Sequence, residues 1–403
     1  MNIDAIYTTL GVLFIVVFLY SVLAEKLEDT IISGPMVFIT IGWVLGTSGL
    51  GLIGSGTTPT DLRFLVDITL ALVLFSDAAH SNLKVVKTQI LYPSRMLLIG
   101  LPSAIVLGSI VAALLFNQLT LIEAAILGTM LAATDAALGK AVVSNPKVPA
   151  PVREGLNIES GLNDGLCVPI LLILLTLSNP ASEGVTLGHG LYLVAEEVGI
   201  GLVVGLSFAF IGAKLLEASA ARQWLSEVWV QVTVMAIALS SFYVAQTFHG
   251  SGYIAAFSGG LLFGYLLSKK THQLVLATEG MAELFAMFTW ILFGATLLGT
   301  LFEHMSWQVV AYAVASLTVI RMLPTYCAFI GTRVPTRERL FMGWFGPRGL
   351  ASLAFAVLVI DAQVEHSSFI ALVVSTTVLF SLVAHGISAK PLAEKLGHIE
   401  RKS

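Results

Sequence analysis

A succession of apolar runs, each about long enough to cross a bilayer, constrains the fold of this chain more than any other feature. A spanning helix needs about 20 apolar residues, and hydropathy locates thirteen such runs in 403 residues. Only 11% of the residues are charged, against about 25% in soluble domains. We therefore expect an all-α polytopic membrane protein without a soluble domain. The predicted spans are 5–24, 31–54, 62–79, 94–116, 120–144, 154–178, 188–216, 226–247, 252–268, 278–299, 305–330, 338–361 and 366–387.

Basic residues alternate between the connections. Connections that would face one side of the membrane hold 17 of the 21 Lys and Arg residues, and the alternate connections hold none. The positive-inside rule then predicts an external N-terminus and a cytoplasmic C-terminus in a multi-pass protein of the cell (inner) membrane. No basic tract with interleaved aromatic residues predicts a nucleic-acid partner. The 17 residues are Lys26, Lys84, Lys87, Arg95, Lys147, Arg153, Lys214, Arg222, Lys269, Lys270, Arg333, Arg337, Arg339, Lys390, Lys395, Arg401 and Lys402.

Four basic residues fall outside this pattern. Arg63 lies near an outer helix end and can reach the interface. Lys140, Arg321 and Arg348 lie within spans or at their edges and need partners. Arg321 is in the middle of the eleventh span, where an unpaired guanidinium is very unfavourable. We expect it to pair with an intramembrane carboxylate.

The stretch 131–170 carries an unusual number of polar groups for an apolar segment. Thr134 and Asp135 lie in the fifth span, and the sixth span holds four more polar residues within six positions. Carboxylates at membrane depth are costly and by default mark functional sites. The alternative is that they are helix caps or polar contacts between helices. The four in the sixth span are Glu159, Ser160, Asn163 and Asp164.

Two spans contain features that interrupt helices. The fifth holds its Thr-Asp pair in a run of Ala and Gly, and the twelfth holds Gly346, Pro347 and Gly349. Unwound backbone at this depth must line a cavity or be buried in protein. An offset of seven spans makes the two run in opposite directions, as expected for an inverted-topology repeat with two crossed discontinuous helices. The alternative is two unrelated kinks at glycine.

Helical spacing puts Ser160 and Asp164 on one face of the sixth span and Glu159 and Asn163 on a neighbouring one. Small cations such as Na⁺, K⁺ or Li⁺ prefer oxygen ligands. Thr134, Asp135, Ser160 and Asp164 can supply carboxylate, hydroxyl and, from an unwound fifth span, carbonyl oxygens. Burial favours the protonated form of a carboxylic acid, so Asp164 can hold either a proton or a cation. Arg321 is then better paired with Glu159, which leaves Asp164 free to exchange, and Asn163 can orient ligands without adding charge.

Other polar residues receive weaker assignments. Asp67 and Asp77 are candidates for a cytoplasmic funnel, with a capping role as the alternative for Asp77. The eight histidines fall at span ends or in connections, which suggests surface positions and no metal cluster.

Four motifs resemble the NhaP and NHE branch of the monovalent cation/proton antiporters. They are TDAALGKAV in the fifth span, REGLNIESGLNDG in the sixth, LTVIRML in the eleventh and GPRG at the twelfth. The resemblance implies the NhaA/NhaP-like fold, a homodimer, and a site in which Asp164 binds the cation or proton with Asp135, Thr134 and Ser160. It also implies a structural pair of Glu159 with Arg321, and a position for Arg348 near the cytoplasmic funnel.

The resemblance further implies a division of residues 1–390. Helices at about 94–178 and 305–387 would form a transport domain, the remainder a dimerisation scaffold, and residues 391–403 a short cytoplasmic tail. Two departures from the family pattern stand out. Ala136 replaces the proline that often follows the Thr-Asp pair, which puts local unwinding in question. Lys140 is either a cytoplasmic interfacial residue or a cation at the site.

The expected function is electroneutral exchange of one Na⁺ for one H⁺, which contributes to pH homeostasis, with no enzymatic activity and no cofactor. A K⁺/H⁺ antiporter on the same fold is the alternative of the same class. A cation channel would need a filter of ligands around a pore, and nothing in the chain resembles a carbonyl filter loop. A sensor that binds ions or protons without transporting them is the remaining alternative.

Overall fold

A computed structural model describes residues 3–28, 33–53, 59–80, 91–135, 140–143, 147–178, 187–267, 271–296 and 304–400, with a few isolated positions between them. The described residues form fifteen helices and no strand. They are α1 (Ile3–Glu28), α2 (Gly34–Leu45), α3 (Pro59–His80), α4 (Leu91–Leu115, with a π-helical turn at Met96–Gly100), α5 (Leu121–Met130), α6 (Lys140–Val143), α7 (Ala150–Ser178), α8 (Leu187–Ala221), α9 (Glu227–Thr247), α10 (Gly252–Leu266), α11 (Thr271–Thr296), α12 (Trp307–Ala328, interrupted at Thr318), α13 (Thr336–Trp344), α14 (Leu350–Asp361) and α15 (Ser367–Glu400).

These helices correspond to the predicted spans. The fifth span is divided into α5 and α6 and the twelfth into α13 and α14, and each other span is one helix. Eight of the described helices are long and apolar enough to cross a membrane, and α2, α5, α10 and α14 are shorter apolar helices. The prediction of an all-α membrane protein with two discontinuous helices is confirmed.

The helices pack in two groups. In one group α4 packs on α5, α5 on α7, and α15 on both α12 and α14. In the other group α2 packs on α11 and α10 on both α3 and α8. The groups meet mainly where α3 contacts α14 and where α7 contacts α8 and α3.

Glycine allows the closest contacts of the second group. A Cβ atom at Gly42 of α2 would lie 2.0 Å from the Ile291 carbonyl oxygen of α11, and one at Gly264 of α10 would lie 2.1 Å from that of Ala79 in α3. Helices in lipid associate through close packing of small residues. These glycines therefore hold two helix pairs at backbone contact.

The last helix extends further than the sequence indicates. The prediction ended the thirteenth span at residue 387 and made residues 391–403 a tail, but α15 continues to Glu400. Ala393 and Leu396 are buried against an apolar cluster that includes Phe341 and Val152. That cluster stabilises the extra helical turns, and residues 401–403 lie outside the described residues.

Candidate functional site

The fifth span unwinds at the centre of the protein although it lacks the proline. α5 begins with a capping box, in which Thr120 accepts from the Glu123 backbone N–H and Glu123 accepts from that of Thr120, and it ends at Met130. Residues 131–135 are not helical. The unwound carbonyls of Ala132 and Ala133 accept hydrogen bonds from a side chain of the twelfth span instead.

At the two interruptions, a charged side chain of each span contacts the half-helix end of the other. Arg348 Nη1 of the twelfth span donates to the carbonyl oxygens of Ala132 (3.0 Å) and Ala133 (3.1 Å), just beyond the C-terminus of α5. Asp135 Oδ2 of the fifth span accepts from the Leu350 N–H (2.9 Å) at the N-terminus of α14. A helix carries partial negative charge at its C-terminus and partial positive charge at its N-terminus. Each span therefore supplies the charge that stabilises the half-helix end of the other.

Two glycines make room for charged side chains at the crossing. A Cβ atom at Gly349 would lie 2.0 Å from Asp135 Oδ2, and one at Gly346 would lie 2.3 Å from Arg321 Nε. The backbone of Asp135 contacts the twelfth span as well, since its N–H donates to the Pro347 carbonyl at 2.8 Å. The glycines of the GPRG segment are thus required for space.

Glu159 and Arg321 form a bidentate ion pair between α7 and α12. The distances are 2.7 Å from Nη1 to Oε1 and 2.9 Å from Nη2 to Oε2, and the two side chains are 1% and 2% exposed. Bidentate contacts of this kind combine charge with fixed geometry. Each charge is therefore neutralised where water does not reach it.

A second set of contacts fixes the unwound fifth span to α7. Asn163 donates from Nδ2 to Thr134 Oγ1 (2.5 Å) and accepts at Oδ1 from the Thr134 N–H (3.3 Å). Ser160 Oγ donates to the Thr134 carbonyl oxygen at 2.8 Å and accepts from Thr134 Oγ1 at 3.3 Å. Asn163 and Ser160 thus hold Thr134 beside the next acid along α7.

Asp164 differs from the other acids at the crossing. It is 6% exposed, and within the described part of the chain its Oδ1 atom has no hydrogen-bond partner. The carboxylates of Asp135 and Asp77 are close enough to repel its negative charge. A buried carboxylate oxygen without a partner, near other acids, attracts a proton or a small cation.

The structure brings Thr134, Asp135, Ser160, Asn163 and Asp164 together, with Glu159 and Arg321 immediately beside them. Arg348 is 0% exposed, and its guanidinium lies at the crossing. The expectation that it lies near the cytoplasmic funnel stays a prediction. Lys140 begins α6, but its side chain lies outside the described residues.

Asp67 takes part in a polar network, and its assignment to a cytoplasmic funnel stays a prediction. Asp67 pairs with Arg63 at 2.9 Å and accepts from the Tyr253 hydroxyl, and Arg63 also pairs with Asp361. Asp67 and Asp77 are ten residues apart on α3, about 15 Å along a helix. They therefore lie toward opposite ends of the span, and Arg63 joins a network instead of reaching the interface alone.

Sequence reasoning also missed a polar cluster beneath the twelfth span. His385 is 2% exposed, not at the surface as expected, and its Nε2 atom donates to the Trp344 carbonyl at 2.8 Å. Ser381 Oγ binds His385 Nδ1 (3.0 Å) and accepts from the Arg348 N–H (2.7 Å). The i, i+4 spacing of Ser381 and His385 in an apolar span was the available signal.

Comparison with known proteins agrees with this arrangement. The chain is 24% identical over 96% of its length to the K(+)/H(+) antiporter NhaP of Alkalimonas amylolytica, and it spans 66% of that relative. It is 27% identical over 74% of its length to the Na(+)/H(+) antiporter NhaH of Halobacillus dabanensis, of which it covers 74%.

The fold is that of a solved structure described as the sodium proton antiporter MjNhaP1 from Methanocaldococcus jannaschii. The match has a TM-score of 0.81 and 20% identity, and it covers 97% of this chain and 100% of the other. The family model for the sodium/hydrogen exchanger, transmembrane, matches residues 12–395. This multi-pass membrane protein therefore belongs to the sodium/hydrogen exchanger family.

Proposed function

We propose that this protein exchanges a monovalent cation for H⁺ across the membrane by competition of the two ions for Asp164. The observation that carries the proposal is the Asp164 Oδ1 atom, which is buried and without a hydrogen-bond partner among the described residues. Thr134, Ser160, Asn163 and Asp135 are proposed to complete the site. The relatives named as antiporters support the same activity.

The charges at the crossing support one-for-one exchange. Glu159 is paired with Arg321 and Asn163 is neutral, so Asp164 is the one acid proposed to exchange ions. It would carry either one proton or one monovalent cation. The loaded site then carries the same charge in both directions, and exchange is electroneutral.

An electroneutral cycle responds to chemical gradients alone. A difference of one pH unit contributes about 1.4 kcal/mol, and a potential of 100 mV would contribute about 2.3 kcal/mol for each charge moved. Exchange in proteoliposomes with an imposed potential tests this. The rate should not change with potential, and a dependence would assign a second titrating event to Asp135 or Lys140.

Movement of one helix group against the other is proposed to provide alternating access. The group of α4–α7 with α12–α15 carries the site and is proposed as the transport domain, within about 94–178 and 305–387. The remaining helices are proposed as the scaffold of a homodimer. We propose the cell (inner) membrane as its location, and positive-inside alternation of the connections supports an external N-terminus.

We propose Na⁺ as the cation, with K⁺ as the second candidate. The NhaH relative and MjNhaP1 are named for sodium, whereas the NhaP relative is named for potassium. Na⁺ and K⁺ differ in the size of the oxygen cage that they need. The number of oxygen atoms around Asp164 therefore decides between them.

Purified protein in liposomes tests the function. An outward gradient of NaCl, KCl or LiCl is imposed in turn, and a trapped pH dye reports proton movement. We expect coupled proton flux with NaCl, and flux only with KCl would select the alternative cation. Absence of flux with every salt would favour a sensor, and cation flux without proton flux would favour a channel.

A further inference from the structure

A groove of about 480 Å³ lies between α12, α13 and the last turns of α15, away from the helix crossing. It is at the end of the helices where the basic connections lie, which positive-inside alternation places at the inner leaflet. Most of its lining is apolar. The lining includes the apolar residues Leu340, Phe341, Trp344 and Leu396 and the basic residues Arg337 and Lys395.

The two basic residues of this groove differ from their neighbours. Lys147 pairs with Glu394 at 3.1 Å, and Arg339 donates to the carbonyls of Thr332 and Val334. Arg337 and Lys395 are exposed and make no hydrogen bond or ion pair with the rest of the described chain. Within the described part of the chain, two cations at one groove thus lack counter-ions.

Nearby acids do not neutralise them. Glu394 is paired with Lys147, and Glu338 is buried and accepts from the Tyr92 hydroxyl at 2.9 Å. The groove therefore combines positive charge at its rim with an apolar lining. Leu340, which is 46% exposed, extends the apolar surface outward.

We propose that this groove binds one anionic phospholipid of the inner leaflet. Arg337 and Lys395 contact the headgroup phosphate, and an acyl chain lies along Leu340, Phe341 and Leu396. Long basic side chains at a membrane surface place their charge at headgroup level and their stems on apolar surface. A free phosphate would satisfy the charges and leave the apolar lining uncovered, so the two-part lining favours a lipid.

The helices that line the groove lead directly to the interruption of the twelfth span. Its wall α13 is the half-helix that precedes the interruption at 345–349. Trp344 at its end donates from Nε1 to Ser388 Oγ of α15 at 2.8 Å. A lipid in the groove would therefore contact both helices that meet beneath the interruption.

Native mass spectrometry of the detergent-purified chain tests the proposal. The protein is titrated with phosphatidylglycerol or phosphatidylcholine of the same chain length, and retained lipid is counted. We expect one molecule of phosphatidylglycerol to be retained in preference to phosphatidylcholine. A basic side chain near anionic headgroups contributes about fivefold in affinity, so R337Q/K395Q should weaken retention by about 25-fold.

A matched double variant separates this site from general surface charge. K26Q/R222Q also removes one exposed Lys and one exposed Arg on the same side, and neither residue lines the groove. It should retain phosphatidylglycerol like the wild type. The variant R337K/K395R keeps both charges and should also behave like the wild type, which tests whether the two positions tolerate substitution. Equal loss in both charge-removing variants would overturn the proposal.

Two further outcomes would also overturn it. Equal retention of the two lipids by the wild type would mean that charge is not recognised. If no lipid is retained, and inorganic phosphate alone binds in a way that depends on Arg337 and Lys395, the groove is a simple anion site.

Discussion

Two neighbouring regions of α7 carry a buried acid each and use it differently. In the ion-pair region, Glu159 makes a bidentate contact with Arg321. In the open-acid region, five residues further along, Asp164 is also buried, but its Oδ1 atom has no hydrogen-bond partner within the described chain. Burial is common to both, so burial alone does not distinguish a structural acid from an exchanging one. The partner does.

The largest expected effect is in the open-acid region. Asp164→Asn removes the titrating charge and keeps the shape, so it should abolish exchange in proteoliposomes while the protein remains folded. The matched control is Asp361→Asn, which makes the same change at a half-exposed acid outside the site and should leave exchange near wild type. Wild-type exchange by Asp164→Asn would remove the proposed mechanism.

In the ion-pair region, Glu159→Ala should reduce stability instead. It leaves the Arg321 guanidinium buried and unpaired, and breaking such a pair usually costs about 3–5 kcal/mol. Thermal unfolding of the purified variant measures the loss. The double variant Glu159→Leu/Arg321→Met should recover much of it, because replacing both charges by apolar groups is often neutral. A fully stable single variant would show that the pair does not hold α7 to α12.

A smaller effect is expected where the regions meet the twelfth span. Gly349→Ala places a methyl group 2.0 Å from Asp135 Oδ2, so the acid must leave the end of α14, and overpacking of this kind costs about 1–3 kcal/mol. Gly280→Ala is the control, since a Cβ atom there meets nothing within 4 Å. Unfolding temperature should fall for the first variant only, and an equal response would refute the spatial role of Gly349.

The smallest effect is expected far from both regions, at the Arg63 network. Arg63 and Asp361 are 25% and 54% exposed, and exposed ion pairs contribute about 0–1 kcal/mol. Asp361→Asn, which breaks only this pair, should therefore change the unfolding temperature slightly. A loss as large as that of Glu159→Ala would mean that this contact between α3 and α14 is a principal support of the fold.

The sequence predicted the thirteen spans and the two interruptions because apolar length and glycine placement are local properties. It could also bring Arg321 to Glu159, since a charge in lipid requires a partner. It could not place Arg348, because that position depends on carbonyls exposed only after the fifth span unwinds. The same limit applies to the exact position at which the fifth span unwinds.

Ala136 replaces a proline, yet α5 ends at Met130, where the Met130 carbonyl accepts from Ser352 Oγ. His385 shows a related limit. Its place in the sequence suggested a span end, and only the extension of α15 to Glu400 makes it internal. Contacts between distant segments therefore decided what local patterns left open.

The central claim is that cation and proton compete for one acid. The most direct test is the apparent KM for the transported cation, measured in proteoliposomes at several pH values. Competition predicts that KM rises as the pH falls, by up to about tenfold per pH unit, while the maximal rate at saturating cation stays constant. A KM that is independent of pH, with a maximal rate that falls instead, would contradict competition at Asp164.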